Sequence, residues 1–316
     1  MPELGKIADE GILFRNCFAS GDRSDKGLIA ILSAFPAQPT ASVMTMPKKT
    51  AHLPILSQDF KKQGYRTAWY YGGEPEFANI KSYMLAGEFD QLITKENFDP
   101  KDMNSKWGAH DHVVFNRLLN DLNGQKEPFF VNYFTLSSHE PFEVPMETVF
   151  KGDDMKDKFI NAHHYTDRSL GKFIAEAKKQ DWYKNTLFVI TSDHTSSEPT
   201  EKKYKTNVGK FRVPILFFDP SNPSIVGKNQ KNLQQIDIMP SIIDYLNINS
   251  KMITYGKSYQ SEKDFVVYYL DNIYHYISGD YYLAFDGKKS LGLYNFKKDE
   301  LLKTNLIKTE KAKADE

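Results

Sequence analysis

The 316-residue chain has one cysteine, Cys17, and no excess charge of either sign: 41 basic residues balance 41 acidic ones. No window reaches the ~18 consecutive apolar residues of a membrane span. Each shortage excludes something. A single cysteine rules out an intrachain disulfide and a cysteine-built zinc site; Cys17 lies in an apolar run and reads as a buried structural thiol. The even charge balance gives no footprint for nucleic acid. No basic-then-apolar leader opens the chain, which as given reads as soluble. There is no internal repeat and no low-complexity tract. What is present is length enough for one large α/β domain or two small ones. Aromatics are plentiful, with 18 Tyr and 22 Phe, as suits either a surface that meets sugars and other polar ligands or a Tyr-rich core.

The chemistry gathers at strand ends. Thr186–His194 (T-L-F-V-I-T-S-D-H) has four apolar residues in a row, the pattern of a strand buried on both faces of a parallel sheet, and it delivers Asp193 and His194 side by side. Sites in open α/β sheets lie beyond the carboxyl ends of strands. A carboxylate and an imidazole there are natural ligands for a divalent metal; equally, Asp193 caps a turn and His194 is a surface residue. Pro128–Leu136 reads as a second strongly buried strand, and Ser137-Ser138-His139-Glu140 puts His139 in the corresponding place. Ile12–Ala19 reads as a strand, followed by a polar loop and a helix with Leu28, Ile29, Ile31, Leu32 and Phe35 at helical spacing, ended by Pro36. Ser24 thus sits at a helix start. It is either an N-cap, or a nucleophile activated by free N–H groups, the helix dipole and neighbouring Arg23.

Other helices are expected over Leu4–Gly11, Leu53–Gln63, Asn79–Ala86, Val113–Leu122, His163–Lys179 and Gln234–Leu246, the last kinked by Pro240 or starting near Met239. Strands are expected over Tyr65–Tyr71, Phe89–Ile93 and Arg212–Phe218. His110 and His112 have ligand spacing for a strand but sit at a helix start, with Asp111 as a plausible cap. Glu198–Lys210 is long and charged, as a substrate lid would be. From Asp264 onward, short runs separated by Asp-Asn, Gly-Asp and Asp-Gly-Lys-Lys predict an antiparallel meander, and Lys303–Glu316 a frayed charged tail. The expected division is 1–260, 261–304 and a tail over 305–316.

Taken in order, G-I-L-F-R-N-C-F-A-S-G-D-R-S-D-K-G, W-G-A-H-D, L-S-S-H-E-P-F, F-V-I-T-S-D-H, R-V-P-I-L-F-F and Q-I-D-I-M-P-S-I-I-D-Y-L resemble the alkaline phosphatase–sulfatase superfamily, specifically its lipoteichoic acid synthase-like membrane phosphotransferases. The resemblance implies an α/β fold with a mixed, mostly parallel central sheet flanked by helices and a small C-terminal antiparallel sheet. It implies that Ser24 is nucleophile and metal ligand, that Asp193 and His194 bind the same divalent metal (often Mn2+, with Zn2+ or Mg2+ as alternatives), and that His139 contacts the substrate phosphate. Arg23, Lys26 and Asn79 are the further substrate-binding candidates. The implied substrate is a phospholipid or glycolipid head group, met at the extracytoplasmic face of the bacterial inner membrane, where relatives are anchored by N-terminal helices. Three departures accompany it. The family's acidic ligand on its first strand, and the membrane helices before it, would fall upstream of Leu4, so the expectation is an N-terminally incomplete or degenerate member. Phe77-Ala78-Asn79-Ile80 puts Ala78 and Ile80 where glycerol phosphate recognition uses Trp and Arg. Ser24-Asp25-Lys26-Gly27-Leu28 lacks the Pro and Arg that formylglycine sulfatases require. The readings left open are a metal-dependent phosphotransferase or phosphodiesterase, a non-catalytic remnant that binds anions or a partner, and a sulfuric ester hydrolase.

Overall fold

The structure, a computed structural model, describes residues 1–315. In chain order the elements are α1 (Pro2–Asp9), β1 (Ile12–Phe18), α2 (Ser24–Ser33), α3 (Pro47–Thr50), α4 (Leu56–Lys62), β2 (Arg66–Tyr71), α5 (Ile80–Ala86), β3 (Gln91–Ile93), α6 (Asp111–Asn123), β4 (Phe129–Phe134), α7 (Met155–Ala177), β5 (Phe188–Thr191), β6 (Ile215–Phe218), β7 (Gly227–Gln234), α8 (Ile238–Tyr245), β8 (Phe265–Leu270), β9 (Ile273–Ser278), β10 (Tyr281–Phe285), β11 (Ser290–Asn295) and α9 (Lys311–Asp315). This is the expected α/β arrangement with a separate antiparallel sheet at the C-terminal end. The ladders run β3-β2-β4, β5-β6-β1-β7 and β11-β10-β9-β8. By contacts the chain forms two compact units. The first holds Met1–Ile12, Ser57–Val189 and Phe217–Gly227; the second holds Leu13–Leu56, Ile190–Leu216 and the chain from Lys228 onward.

In the first unit β2 pairs in parallel with β3 and with β4, Trp69 lying opposite Leu92 and Asn132. Central β2 is buried from Thr67 to Tyr71. Around it Phe60 stacks on Phe130, and Phe115 packs between Tyr133 and Phe173. Buried Asp167 on α7 accepts the backbone N–H groups of Glu3 and Leu4 at 3.0 and 2.7 Å, so a carboxylate takes up donors that the start of α1 cannot satisfy itself.

In the second unit the buried faces of β8 and β9 meet the end of β1: Tyr268 stacks on Phe18, Phe211 and His275. The β8–β9 turn places Asp271 and Asn272 at φ 53° and 62°, the left-handed pair that a tight hairpin requires. Cys17 is fully buried, as expected, and burial pushes its thiol well above the ordinary range.

Two expectations are corrected, on strand burial and on the tail, and one strand is unforeseen. β4 and β5 are only half-buried throughout, because each is the end strand of its ladder, whereas β6, an interior strand, is buried at every residue. β7, with the polar sequence G-K-N-Q-K-N-L-Q, is a strand no hydrophobic period announces; its first half is largely exposed. The tail does not fray: the Leu306 N–H bonds to the Leu293 carbonyl at 2.7 Å, and Ala314 of α9 is buried. Glu316 lies outside the described residues. Among them no helix is long and apolar enough to cross a membrane.

A buried ion pair fastens the second unit. Lys257 Nζ donates to Asp237 Oδ2 at 2.6 Å and to the Phe265 carbonyl at 2.8 Å, while the same carboxylate accepts from the backbone N–H groups of Lys257 and Gln234. Burial pushes the Asp237 carboxyl up, against the pull of Lys257. Lys257→Met, which strands the carboxylate, is expected to lower stability by about 3–5 kcal/mol. Lys257→Met with Asp237→Asn should cost clearly less, both read from urea unfolding midpoints.

Candidate functional site

In the second unit, Ser24 is the first residue inside α2, and Arg23 occupies the cap position without a side-chain capping bond. The N-cap interpretation of Ser24 is therefore set aside: its side chain stands where a helix keeps unpaired N–H groups and its positive dipole end. Gly27, one turn on, explains where this helix end goes. A Cβ built on Gly27 would lie 1.9 Å from the Asp193 carbonyl oxygen. The absent side chain lets α2 press against the backbone leaving β5, and this brings Ser24 and Asp193 into one neighbourhood.

Gln235 holds the same junction from the other side. Its buried carboxamide donates to the Ser192 carbonyl at 2.8 Å and the Asp193 carbonyl at 2.6 Å, and accepts the Ser20 N–H at 2.9 Å. One side chain thus couples the exit of β5 to the loop that carries Ser24. At that exit His194 Nε2 and Asp193 Oδ2 lie 3.5 Å apart, and His194 Nδ1 lies 2.7 Å from the Thr195 carbonyl. A carbonyl only accepts, so Nδ1 carries the proton and the Nε2 lone pair is left free. Two ligand atoms 3.5 Å apart are compatible with one divalent ion about 2.1 Å from each, and a backbone carbonyl that holds the other ring nitrogen is the usual support of such an imidazole ligand. The pair therefore fits a divalent cation as two donors; among the described residues no group of three His, Cys, Asp or Glu is assembled. Asp25 Oδ1, beside Ser24, is buried without a hydrogen-bond partner among the described residues.

Of the flanking candidates, Arg23 is exposed. Lys26 is ion-paired to Asp22 at 2.9 Å. Burial would raise the Asp22 carboxyl, but the hydrogen bond and charge of Lys26 hold it below the usual range. Glu198–Lys210 forms a loop with short turns at Lys202–Lys205 and Gly209–Phe211, exposed over 200–205 and anchored by buried Val208 and Gly209.

In the first unit, His139 is exposed in the loop after β4. That loop is organised by Asp111, fully buried at the start of α6. The Asp111 carboxylate accepts the Leu136 and Ser137 N–H groups at 2.8 and 3.1 Å, the Tyr133 hydroxyl at 3.2 Å and the Thr166 hydroxyl at 2.8 Å. Asp111 is thus not the cap of α6, which is His110, but the post around which the end of β4 turns. His110 Nδ1 contacts Ser137 Oγ at 3.2 Å, and His112 Nδ1 contacts the Tyr165 hydroxyl at 2.5 Å. With different partners, the two do not form a ligand pair, and burial lowers the pKa of each. Asn79 has φ 62° and its side chain does not cap α5; a left-handed backbone accounts for an asparagine there. Asp111 and Gln235 were legible only as members of the W-G-A-H-D and Q-I-D-I-M-P stretches; nothing in composition or period marks them.

A sulfatase family model matches residues 1–248. Lipoteichoic acid synthase 1 of Bacillus subtilis is 28% identical over 281 residues, covering 81% of this chain and 43% of the relative. Lipoteichoic acid synthase of Staphylococcus aureus is 28% identical over 212 residues, 62% of this chain and 32% of the relative. The chain thus spans less than half the length of these curated relatives. A solved alkaline phosphatase superfamily protein from Vibrio parahaemolyticus superposes with a TM-score of 0.82 at 25% identity, covering 98% of this chain and 80% of that one. A lipoteichoic acid synthase structure from Listeria monocytogenes gives 0.82 at 19% identity, covering 94% and 79%. The motifs met in order along the chain, the α/β architecture and the family match over 1–248 agree: the chain belongs to the sulfatase family of the alkaline phosphatase superfamily.

Proposed function

We propose that this chain supplies the catalytic machinery of a metal-dependent phosphotransferase or phosphodiesterase that acts on an envelope lipid or glycan head group, with Ser24 as nucleophile. The observation that carries the reading is the close approach of α2 to the Asp193 backbone at Gly27. It supports a site in which the Ser24 hydroxyl, at a helix N-terminus where anionic groups are favoured, works with the Asp193–His194 carboxylate–imidazole pair. Asp193 and His194, with the Ser24 hydroxyl, would hold a divalent cation; bound, it would lower the hydroxyl pKa and neutralise non-bridging phosphoryl oxygens. An imidazole–carboxylate–hydroxyl set suits Mn2+ better than Mg2+. Ser24 Oγ attacks phosphorus and the head-group ester oxygen leaves with a proton; a second attack, by an alcohol or water, returns the phosphoryl group from Ser24. Exposed Arg23 adds positive charge beside the entering phosphate. On the family resemblance alone, exposed His139 is assigned to the phosphate or the leaving oxygen. Lipid substrates are proposed on the likeness to lipoteichoic acid synthases. The sulfuric ester reading has no such support here, since Ser24 lacks the Pro and Arg that formylglycine formation requires. One observation favours the non-catalytic alternative: no third His, Cys, Asp or Glu joins Asp193 and His194 among the described residues.

Calorimetry with Mn2+ and turnover of a chromogenic phosphodiester test the reading on the intact chain. Ser24→Ala is expected to lower turnover by at least about 10³-fold with the fold intact, and Asp193→Asn to weaken Mn2+ binding by at least about tenfold. Absence of both Mn2+ binding and turnover in the unmodified chain would select the non-catalytic alternative, and preference for aryl sulfate the hydrolase one. Gly27→Ala tests the junction. It gains about 1 kcal/mol of helix propensity, yet should destabilise by about 1–3 kcal/mol through the clash with Asp193 and reduce turnover in parallel.

A further inference from the structure

The first unit contains a device that the roles above leave unused. Ser105, Trp107, His110, Ser137, His139 and Glu143 line a small, shallow cleft. Two side chains in it share one acceptor. The Glu140 carbonyl receives Trp107 Nε1–H and also His139 Nδ1, the latter at 2.9 Å. The indole and imidazole rings meet edge-to-face with centroids 5.6 Å apart, the arrangement an aromatic quadrupole prefers. Because a carbonyl cannot donate, this contact puts the His139 proton on Nδ1 and leaves the Nε2 lone pair toward solvent.

The Trp107 loop is itself fixed. Ser105 Oγ donates to the Gly108 carbonyl at 2.8 Å and accepts the Gly108 N–H at 3.0 Å, and Glu143 Oε2 accepts the Lys106 N–H at 2.9 Å. Gly108 has φ 151°, and a Cβ there would lie 2.0 Å from the Gly72 carbonyl oxygen, so only glycine lets the loop seat. Lys106 Nζ lies 4.7 Å from the centre of the Trp107 ring. An exposed histidine with rotational freedom would sample several rotamers and both tautomers. Here the Glu140 carbonyl, oriented by the indole, selects one.

We propose that Trp107 is the positioning residue for His139: it fixes the Glu140 carbonyl and the imidazole face, and so holds His139 as the Nδ1–H tautomer with Nε2 presented to the phosphate or the leaving oxygen. The proposal rests on the function proposed above for what His139 meets, but the tautomer itself does not depend on it. The test measures the imidazole nitrogens of His139 by ¹⁵N–¹H correlation at a pH where the ring is neutral, in the intact chain and in Trp107→Phe and Trp107→Ala, with turnover of the phosphodiester followed in parallel.

Nearly pure Nδ1–H is expected in the unmodified chain, a fall to about half in Trp107→Ala, and an intermediate value in Trp107→Phe, which keeps the ring but loses the donor. If the alanine variant does not fold, the phenylalanine variant decides. Turnover should fall about tenfold in kcat in Trp107→Phe, with KM changed by less than about twofold, and Trp107→Phe should cause no further loss on a His139→Ala background. An unchanged His139 tautomer in folded Trp107 variants overturns the proposal, as does an undiminished Trp107→Phe effect without His139. If the unmodified chain turns over no phosphodiester, the functional reading fails and the tautomer measurement alone decides the role of Trp107.

Discussion

The three hydrogen bonds of the Gln235 carboxamide are the constraint on which the second unit's chemistry depends. The donor end takes the Ser192 and Asp193 carbonyls and the acceptor end takes the Ser20 N–H. Main-chain groups at the end of a strand and in a loop have no ladder partner, and leaving them buried and unpaired would cost about 1–3 kcal/mol each. One buried amide satisfies three of them, and in doing so fixes the distance between the strand exit that carries Asp193 and His194 and the loop that carries Ser24. Gly27 sets the remaining degree of freedom by removing the side chain that would hold α2 away from the Asp193 carbonyl.

The first unit solves a similar problem with a charge. Asp111 gathers two N–H groups and two hydroxyls onto one carboxylate, and charge-assisted bonds are about twice as strong as neutral ones. The consequences reach its neighbours: burial and the Asp111 charge push the Tyr133 phenol well above its ordinary range, so it stays a donor. The chain turns sharply after β4, and the shared Glu140 carbonyl then sets the imidazole at the tip. In each unit a buried polar residue, Gln235 or Asp111, holds the backbone that carries the residues proposed to do chemistry, which range from buried Ser24 to exposed His139. Such an arrangement is physically economical, because a rigid buried shell removes the reorganisation that an exposed side chain would otherwise require.

The segments differ in how far they could be read in advance. Leu187–Ile190 and Phe129–Phe134 were readable as strands from their apolar runs, and so was the exit position of Asp193, His194 and His139. Their degree of burial was not, because an end strand and an interior strand of one composition differ only in what pairs beside them. β7 was invisible for the opposite reason: its polar residues suit an exposed strand, and no period distinguishes that from a loop. The tail looked like solvent-loving chain because lysines dominate it, yet Leu306 and Ala314 are enough to seat it.

The sequence by itself determined most of the order of elements, the family motifs and the placement of Ser24 at a helix start, since these depend on local periodicity, on glycine and proline, and on residues near one another in the chain. Only the tertiary structure decided that Ser24 is not a cap, that His110 and His112 are not a ligand pair, and that Gln235, Asp111 and Trp107 do the aiming. Those outcomes rest on contacts between residues 42, 43 and 215 positions apart for Gln235, 22 to 55 for Asp111 and 33 for Trp107. Hydrogen bonds of that span exist only after the chain has folded, and no local pattern encodes which distant carbonyl or amide will arrive.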